Sequence, residues 1–242
     1  MVEATARYLD EIEKFRRMFA TDATWQEQHA RNYIASVSSS NDPLAWVPPE
    51  GLFLDPHDVE AIFQIIYHRR IWGGGSGVGS EIRNTCLYVA YVQHLMDRFS
   101  VRTVLDLGCG DWSFSQYLDF GGRYYLGVDA VPSVVSRNVA EFGSSNISFA
   151  QGNLCSPDEL PECDLVLCKD VLQHLSSANV MTILAKIGRA RLSLITNDYH
   201  PSNRDCTNGS TRPMDVSAPP FNFPGRPVLA FGGKVSFLAT RE

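Results

Sequence analysis

The chain has 242 residues, of which 44% are hydrophobic and 20% are charged, and its formal net charge is −6. This composition is typical of one soluble globular core with a small accessory region, and no run approaches the ~18 consecutive apolar residues of a membrane span. The acidic balance argues against a nucleic-acid partner, because phosphate binding needs a clustered basic surface, and nothing in the sequence indicates a membrane partner.

The six cysteines form no Cys-x-x-Cys pair, and several lie in apolar runs, where reduced and buried cysteines are common. We therefore expect no disulfide framework. No Cys/His cluster has metal-ligand spacing, so no metal site is expected either. The first residues lack the basic and apolar regions of a secretory signal, and the expected location is cytoplasmic.

The N-terminal part of the chain has helical patterns. Residues 1–20 carry apolar side chains at helical spacing and predict an amphipathic helix, and residues 25–35 predict a second, weaker one. Residues 36–51 are polar and contain prolines, which indicates a loop. Asp55 and Pro56 resemble a helix start, with the helix continuing to about residue 70. The sequence predicts a helical cap or lid over residues 1–70 and the main domain over residues 71–242.

A glycine-rich stretch follows, from Trp72 through Gly73, Gly74, Gly75 and Ser76 to residue 80. One interpretation is a flexible hinge and nothing more. The other is a loop that folds against a ligand, with glycines that allow close approach and Trp72 as an anchor. The position of the stretch, just before a long predicted helix at 81–99 that leads into the first strand, favours the ligand-binding interpretation.

From residue 101 onward, strands and helices alternate. Strands are predicted around residues 104–107 and at 124–129, 147–151, 163–169 and 192–197, and helices at 112–118, 131–142, 171–175 and 178–190. This alternation predicts a parallel sheet with helices on both faces. Residues 198–226 form a long polar stretch with no helix visible, which is uncommon in a compact domain and usually functional. Two further strands, at 227–231 and 234–240, predict a terminal antiparallel hairpin.

The apolar strand that ends at Leu107 passes directly into Gly108, Cys109 and Gly110. A strand that breaks into a glycine turn and opens a helix leaves backbone N–H groups at one edge of the sheet, which is suited to a nucleotide-type ligand. Asp129 closes the second strand about 20 residues after this turn, where a carboxylate can accept hydrogen bonds from both ribose hydroxyls.

Four motifs occur in a familiar order. Residues 104–111 (Val-Leu-Asp-Leu-Gly-Cys-Gly-Asp) resemble the first motif of class I S-adenosylmethionine-dependent methyltransferases, and residues 126–129 (Leu-Gly-Val-Asp) resemble the acidic motif of their second strand. Residues 151–154 resemble the adenine-side motif and residues 164–170 the fourth strand. The resemblance covers about Glu81 to Glu242, and the glycine-rich stretch with residues 169–174 and 212–222 narrows it to a bacterial subgroup of mostly unassigned substrates.

The resemblance implies an α/β fold with a Rossmann-like, doubly wound, seven-stranded sheet that ends in an antiparallel hairpin, preceded by the N-terminal helical region. It implies S-adenosyl-L-methionine as cofactor. Asp106 would orient the glycine turn or bind the amino group of the cofactor, the adenine would lie near Ala130, and Asn153 would bond its edge. The implied cofactor-binding residues are Trp72, Asp106, Gly108, Cys109, Gly110, Asp129, Ala130, Asn153, Leu154 and Lys169.

Two other classes share part of this pattern. A nicotinamide-dependent dehydrogenase uses the same strand, turn and acid, but its fingerprint requires a third glycine or alanine where this chain has Ser113. A protein that binds the cofactor without catalysis is the other alternative. The order of the glycine turn, Asp129, Asn153 and the final hairpin favours methyl transfer.

Methyl transfer mainly requires that an acceptor be held in line with the activated methyl group, and a hydroxyl or ammonium acceptor must also lose a proton. The catalytic candidates follow the fourth and fifth strands and are His174, Asp170 and Asp198. His174 lies four residues after Asp170, so one helix face would present a base and the group that orients it; the alternative is that His174 only packs the helix. The substrate-binding candidates lie in the long polar stretch and are Tyr199, His200, Arg204 and Arg212, with loop solvation or mutual pairing as the alternative.

The sequence therefore predicts transfer of a methyl group from S-adenosylmethionine to an oxygen or nitrogen of a small polar metabolite, such as a natural-product intermediate, a sugar or an amino acid. The alternative acceptor is a peptide or protein side chain or terminus, onto which residues 1–70 would dock. A closed cavity beside the methyl group would favour the small molecule, and an open groove would favour the peptide. A homodimer is left open.

Overall fold

The computed structural model describes residues 2–22, 24–37, 46–156 and 158–241, so the predicted loop at 36–51 falls partly outside the described residues. Amphipathic sequence patterns form the helices, which bury one apolar face each. Their bounds are α1 Val2–Thr21, α2 Thr24–Ser36, α3 Val59–His68, α4 Ile82–Arg98, α5 Pro132–Phe142 and α6 Ser177–Ile187.

Seven strands form one sheet. Their bounds are β1 Thr103–Leu107, β2 Tyr124–Asp129, β3 Ile147–Gln151, β4 Leu165–Lys169, β5 Leu192–Asp198, β6 Arg226–Phe231 and β7 Lys234–Thr240. The strand order is β3-β2-β1-β4-β5-β7-β6, with β1 to β5 parallel and β7 antiparallel to both of its neighbours. The central strand β4 is buried at every residue because the sheet is covered on both faces. The predicted doubly wound sheet with a terminal hairpin is confirmed.

The strand order reverses between β1 and β4. The chain builds outward from β1 through β2 to β3, and then returns to place β4 on the other side of β1. In open parallel sheets such a switch point leaves a crevice beyond the carboxyl ends of the strands, and ligands bind there.

The first two helices lie away from that crevice. Ile12 and Phe19 of α1 are buried in the core beside α4, and α2 contacts β6, where Glu27 pairs with Arg226 at 2.8 Å. The third helix begins at Asp58, whose carboxylate accepts a hydrogen bond from the Ala61 N–H, and not at Asp55 as predicted. No helix in the described part of the chain is long and apolar enough to cross a bilayer.

Two predicted helices are not formed. The segment 112–118 is a turn followed by a short 3-10 helix at Ser115–Tyr117, because Trp112 has φ +57° and packs among aromatic rings of the core. The segment 171–175 is a single 3-10 turn at Leu172–His174.

The long polar stretch at 198–226 is ordered by backbone hydrogen bonds. Gly209 N–H donates to the His174 carbonyl at 2.8 Å and Arg212 N–H to the Gln173 carbonyl at 3.0 Å. Thr211 pairs with Trp46 through two backbone bonds of 2.8 and 2.9 Å. This stretch is therefore a fixed wall against the turn that follows β4.

Candidate functional site

A cavity of about 360 Å³ lies at the switch point, beyond the carboxyl ends of the parallel strands. It extends from Asp129 at the end of β2 to Lys234 at the start of β7. On the opposite side it is closed by α3, which contributes Val59, Phe63 and Tyr67 at a spacing of four residues, and by the glycine-rich segment. Of the described residues before Gly73, those of α3 and Trp72 line the cavity.

The glycine turn after β1 forms the cavity floor. Gly108 and Gly110 have φ values of +72° and +55°, in the left-handed region that favours glycine. A Cβ at Gly108 would overlap the side chain of Val171, so the turn packs directly on the segment after β4. The contact with the segment after β4 therefore limits the movement of the turn.

Asp129 connects this turn to β2. One carboxylate oxygen accepts the Gly110 N–H and the other accepts the Val131 N–H, both at 3.0 Å. Burial raises the pKa of Asp129, and the two backbone N–H groups oppose that shift. Each carboxylate oxygen keeps a further lone pair, which is available to a ligand in the cavity.

Asp106 lies in β1 and also lines the cavity. Its carboxylate accepts a hydrogen bond of 2.7 Å from the Tyr125 hydroxyl and a longer one of 3.5 Å from Ser115. Burial raises the pKa of Asp106 to about 6, although Tyr125 and Lys169 act in the opposite direction. A carboxylate with this pKa changes charge close to neutral pH.

Four charged side chains form what we call the charge cluster: Lys169, Asp170, Asp198 and Lys234. Lys169 Nζ lies 2.6 Å from one oxygen of Asp170, and Lys234 Nζ lies 2.8 Å from the other. Lys234 also donates to Asp198 at 2.6 Å. Burial by itself would raise the pKa of Asp170, but the two lysines bring it below its usual range. The cluster thus contains two paired cations and two paired anions.

His174 follows β4 in the 3-10 turn and lines the same end of the cavity. Its Nδ1 lies 2.9 Å from the Ser210 carbonyl oxygen and 3.0 Å from Thr211 Oγ1. A carbonyl oxygen only accepts, so Nδ1 carries the proton and Nε2 carries the lone pair. Burial lowers the pKa of His174, with the Ser210 contact, Asp170 and Asp198 acting in the opposite direction. The imidazole is therefore neutral at neutral pH.

Part of the chain that forms this site is similar to known proteins. A family described as a methyltransferase domain matches residues 104–191, from β1 through α6. The structure of magnesium protoporphyrin IX methyltransferase (ChlM) from Synechocystis PCC 6803 with bound SAH is 18% identical, with a TM-score of 0.52, and the match covers 78% of this chain and 100% of that one. Residues 104–191 thus match a methyltransferase domain, and the fold is that of the class I S-adenosylmethionine-dependent methyltransferases.

Two further solved structures are also similar to this chain. The structure of PigF with SAH is 16% identical with a TM-score of 0.50, over 66% of this chain and 63% of that one. The methyltransferase domain of bacterial CtHen1 is 18% identical with a TM-score of 0.40, over 46% of this chain, and the match spans 65% of that chain. No functionally curated protein matches the sequence.

The cavity suits S-adenosylmethionine, the cofactor that the sequence leads us to expect. The buried carboxylate of Asp129 is suited to the ribose hydroxyls, the glycine turn gives backbone close to the ligand, and Asp106 is suited to the cationic amino group. The predicted cofactor residues that line the cavity are Trp72, Asp106, Gly108, Cys109, Gly110, Asp129, Ala130, Leu154 and Lys169.

The structure places Asn153 differently. Its side-chain oxygen accepts the Cys155 N–H at 2.9 Å and caps its own loop, while Leu154 and Cys155 line the cavity beside it. Asn153 is thus positioned to shape the loop, and the apolar side chain of Leu154 lines the cavity in its place.

The predicted base and orienter are not paired with each other in the methyltransferase. Asp170 has φ +58° and precedes the 3-10 turn, so it shares no helix face with His174. Its oxygens are taken by Lys169 and Lys234, and the group that orients His174 is the Ser210 carbonyl. The prediction that Asp170 orients His174 is wrong, because both oxygens of the Asp170 carboxylate are paired with buried lysines.

The four predicted substrate-binding residues lie within the polar stretch and do not line the cavity. Arg212 is 2% exposed and donates to the Leu172 carbonyl at 3.3 Å and to that of Arg204. The Tyr199 hydroxyl donates to Asp215 at 3.3 Å, and His200 Nδ1 accepts the Ser202 N–H at 3.1 Å. These contacts stabilise the conformation of the polar stretch, because buried polar groups need partners inside the protein.

Four polar residues that line the cavity are not among the predicted site residues: Tyr67, Gln173, Thr211 and Lys234. Lys234 reaches the site only because β7 runs antiparallel to β5 and pairs Lys234 with Asp198 in register. The one signal in the sequence is that a lysine directly follows the hairpin glycines, at the edge where the parallel strands end.

Proposed function

We propose that this methyltransferase transfers a methyl group from S-adenosylmethionine to an oxygen or nitrogen of a small polar metabolite, such as a natural-product intermediate, a sugar or an amino acid. In this proposal Nε2 of His174 accepts the proton that the acceptor loses. The observation that carries the proposal is the 2.9 Å contact between Nδ1 of the buried His174 and the Ser210 carbonyl, in the cavity that contains the glycine turn.

The size of the cavity supports a small acceptor. Its volume of about 360 Å³ is near the lower end of the ~300–1,000 Å³ range of small-molecule sites, and the cofactor has to share it. The helix α3 and the glycine-rich segment close one side. A peptide or protein acceptor, the alternative, would require that this side open.

The cofactor supplies an activated methyl group when it is bound, so the protein has to hold the acceptor and take up its proton. His174 is suited to the second task because its lone pair on Nε2 is free at neutral pH. Once protonated, the imidazolium would be stabilised by the negative charges of Asp170 and Asp198, which already favour its charged form.

Asp170 and Asp198 act as positioning groups in this proposal. Asp198 accepts from the Gln173 side chain at 3.1 Å, and its own N–H donates to the Gln173 side-chain oxygen at 2.8 Å. Gln173 directly precedes His174, so these contacts fix the 3-10 turn that carries the imidazole. The lysine partners keep Asp170 ionised and unsuited to accept a proton itself, and Lys234 is also paired with Asp198.

The test uses His174→Ala and His174→Gln, assayed with a panel of hydroxyl and amine acceptors. Removal of a positioned base typically lowers turnover by about 10²- to 10⁴-fold, so we expect a loss in that range. The affinity for S-adenosylhomocysteine, measured by calorimetry, should stay unchanged. A fully active His174→Ala variant would assign His174 to packing and refute its proposed role.

A further inference from the structure

The glycine-rich segment is fastened to the turn after β1. We call residues 73–80 the lid segment. Ser76 N–H donates to Asp111 Oδ2 at 3.0 Å, and Asp111 N–H donates back to Ser76 Oγ at 2.8 Å. The Tyr67 hydroxyl is hydrogen-bonded to the same Ser76 oxygen at 2.8 Å. These three bonds make Ser76 and Asp111 a reciprocal clasp.

The far end of the lid segment is also fastened by polar contacts. The Ser80 carbonyl accepts from Ser113 Oγ at 2.8 Å, and the Gly79 carbonyl accepts from Lys169 Nζ at 3.0 Å. By contrast, Gly73 and Gly74 have φ values of +91° and +151°, and a Cβ at either would meet no atom within 4 Å. The lid segment therefore combines a permissive glycine turn at its start with hydrogen bonds along the rest.

The lid segment folds back onto Trp72. A Cβ at Gly77 would lie 3.2 Å from Trp72 Cβ, so the backbone there is in direct contact with the tryptophan. On its other side the indole packs on the imidazole of His174, with ring centroids 4.8 Å apart and an interplanar angle of 36°. The ring of Phe63 also packs on Trp72, with ring centroids 5.9 Å apart. Trp72 thus lies between the lid segment and His174.

We propose that Trp72 is a positioning residue and that closure of the lid segment, through Trp72, completes the environment of His174. The relevance of this coupling to catalysis rests on the proposed function, whereas the coupling itself is a property of the chain without an acceptor. The clasp at Ser76 and Asp111 keeps the lid segment closed and so maintains this coupling. Neither residue has a hydrogen bond or ring contact with His174 in the structure.

The groups that face His174 define what lid opening would change. They are Trp72 from the lid side, Ser210 and Thr211 from the polar wall, and the charged Asp170, Asp198 and Lys234 from the sheet edge. Burial is the largest cause of the lowered pKa of His174. Withdrawal of the indole would admit water on one face while the other contacts stay, so the pKa would return towards its ordinary value of about 6.5.

The experiment follows the titration of His174 by NMR in the protein without an acceptor, with the resonance assigned from His174→Gln. We expect Trp72→Ala to raise the midpoint by about one pH unit, and Trp72→Phe to raise it by less because a ring is retained. Trp46→Phe is the matched control, since Trp46 is 37% exposed and its backbone pairs with Thr211. An unchanged midpoint in Trp72→Ala, with the fold intact by circular dichroism, overturns the proposal.

The clasp provides a second test in which a direct effect and a coupled effect have opposite signs. Asp111→Ala removes a negative charge, which by direct electrostatics lowers the pKa of His174, but it also frees Ser76 and the lid segment, which raises it. We expect the midpoint to rise. Asp111→Asn also removes the charge but keeps an oxygen that can accept the Ser76 N–H, and it should leave the midpoint unchanged or slightly lower. A fall or no change in Asp111→Ala overturns the coupling.

The two proposals fail separately. If His174→Ala is fully active, the proposed base is refuted while the titration result for Trp72 stands. If His174 is the base, the acid limb of the kcat/KM–pH profile should move by the same amount as the NMR midpoint in Trp72→Ala. A kcat/KM–pH profile that does not move, together with a raised NMR midpoint, would refute the role of the coupling in catalysis.

Discussion

Lys234 donates a hydrogen bond of 2.8 Å to Asp170 across the one intervening strand, β5. Asp170 follows β4, and Lys234 begins β7, at the start of the second strand of the terminal hairpin. The same ammonium donates to Asp198 at the end of β5 at 2.6 Å. The hairpin therefore supplies the cation that holds two carboxylates together at one end of the cavity.

Lys234→Met should destabilise the protein. The substitution leaves Asp170 with Lys169 as its only buried counter-ion in the charge cluster, and it removes the lysine that pairs with Asp198. Breaking a buried ion pair typically costs ~3–5 kcal/mol, and the partial exposure of Asp198 reduces that, so we expect a loss of about 2–4 kcal/mol in the free energy of unfolding. Urea denaturation measures it. The matched control is Lys14→Met, at an exposed position of α1, which should change the free energy of unfolding by less than ~0.5 kcal/mol. Equal effects of the two variants would contradict the importance of the charge cluster.

Asp129→Ala and Asp129→Asn should weaken cofactor binding. The carboxylate supports the glycine turn through Gly110 and is positioned for the ribose hydroxyls, and lost hydrogen bonds to a charged group are worth roughly 1.5–3 kcal/mol. Calorimetry with S-adenosylhomocysteine measures the loss. Asp119→Asn, which changes an exposed aspartate in the loop before β2, is the control and should bind normally. Normal affinity in both Asp129 variants would refute the placement of the cofactor.

Asp106 should make the stability depend on pH between about 4 and 7. Its folded-state pKa is raised from 3.8 to about 6 by burial, so the contribution to stability is fully present below pH 3.8 and is lost as the pH rises through about 6. A shift of about two units corresponds to ~3 kcal/mol. The free energy of unfolding of the wild type minus that of Asp106→Asn should fall by about that amount between pH 4 and pH 7. A difference that is constant over this range would show that burial does not perturb Asp106.

Gly110→Ala and Gly232→Ala separate backbone strain from a steric clash. Both glycines have nearly the same φ, +55° and +52°, but a Cβ at Gly110 would overlap Ser76 Oγ, whereas a Cβ at Gly232 meets nothing within 4 Å. We expect Gly232→Ala to lose only the ~1–2 kcal/mol of left-handed strain and to keep its affinity for S-adenosylhomocysteine. Gly110→Ala should lose more stability and also disrupt the clasp, with weaker binding by calorimetry. Equal losses would show that Ser76 moves aside freely.

Most of the sheet could be predicted from the sequence, and the reasons are local. The strands β2, β3 and β7 have the predicted bounds, and the other four differ from prediction by one or two residues, because each is a short apolar run bounded by turn residues. The glycine turn and Asp129 were predicted to lie together, and they are joined by a hydrogen bond from Gly110. Parallel topology brings strand ends to one edge, which is why this part of the site could be predicted.

The catalytic end of the cavity could not be predicted in the same way because its contacts are long-range. Nothing near Asp170 in the sequence indicates that Lys234 lies beside it, and nothing near His174 indicates the Ser210 carbonyl. The positive φ of Trp112 has the same origin, since tertiary packing of the indole overrides the helical spacing of its segment. Arg212 is expected at the substrate because it lies in the long polar stretch, and here it is buried.

Asp129 has a final consequence for the choice of chemical probes. Because its two oxygens are already engaged by Gly110 and Val131, the shape of that end is settled during folding and leaves little freedom to adapt. We expect nucleoside analogues with an edited sugar to be rejected. Reagents that change the alkyl group and keep the ribose intact are therefore the better starting point for labelling an unknown acceptor.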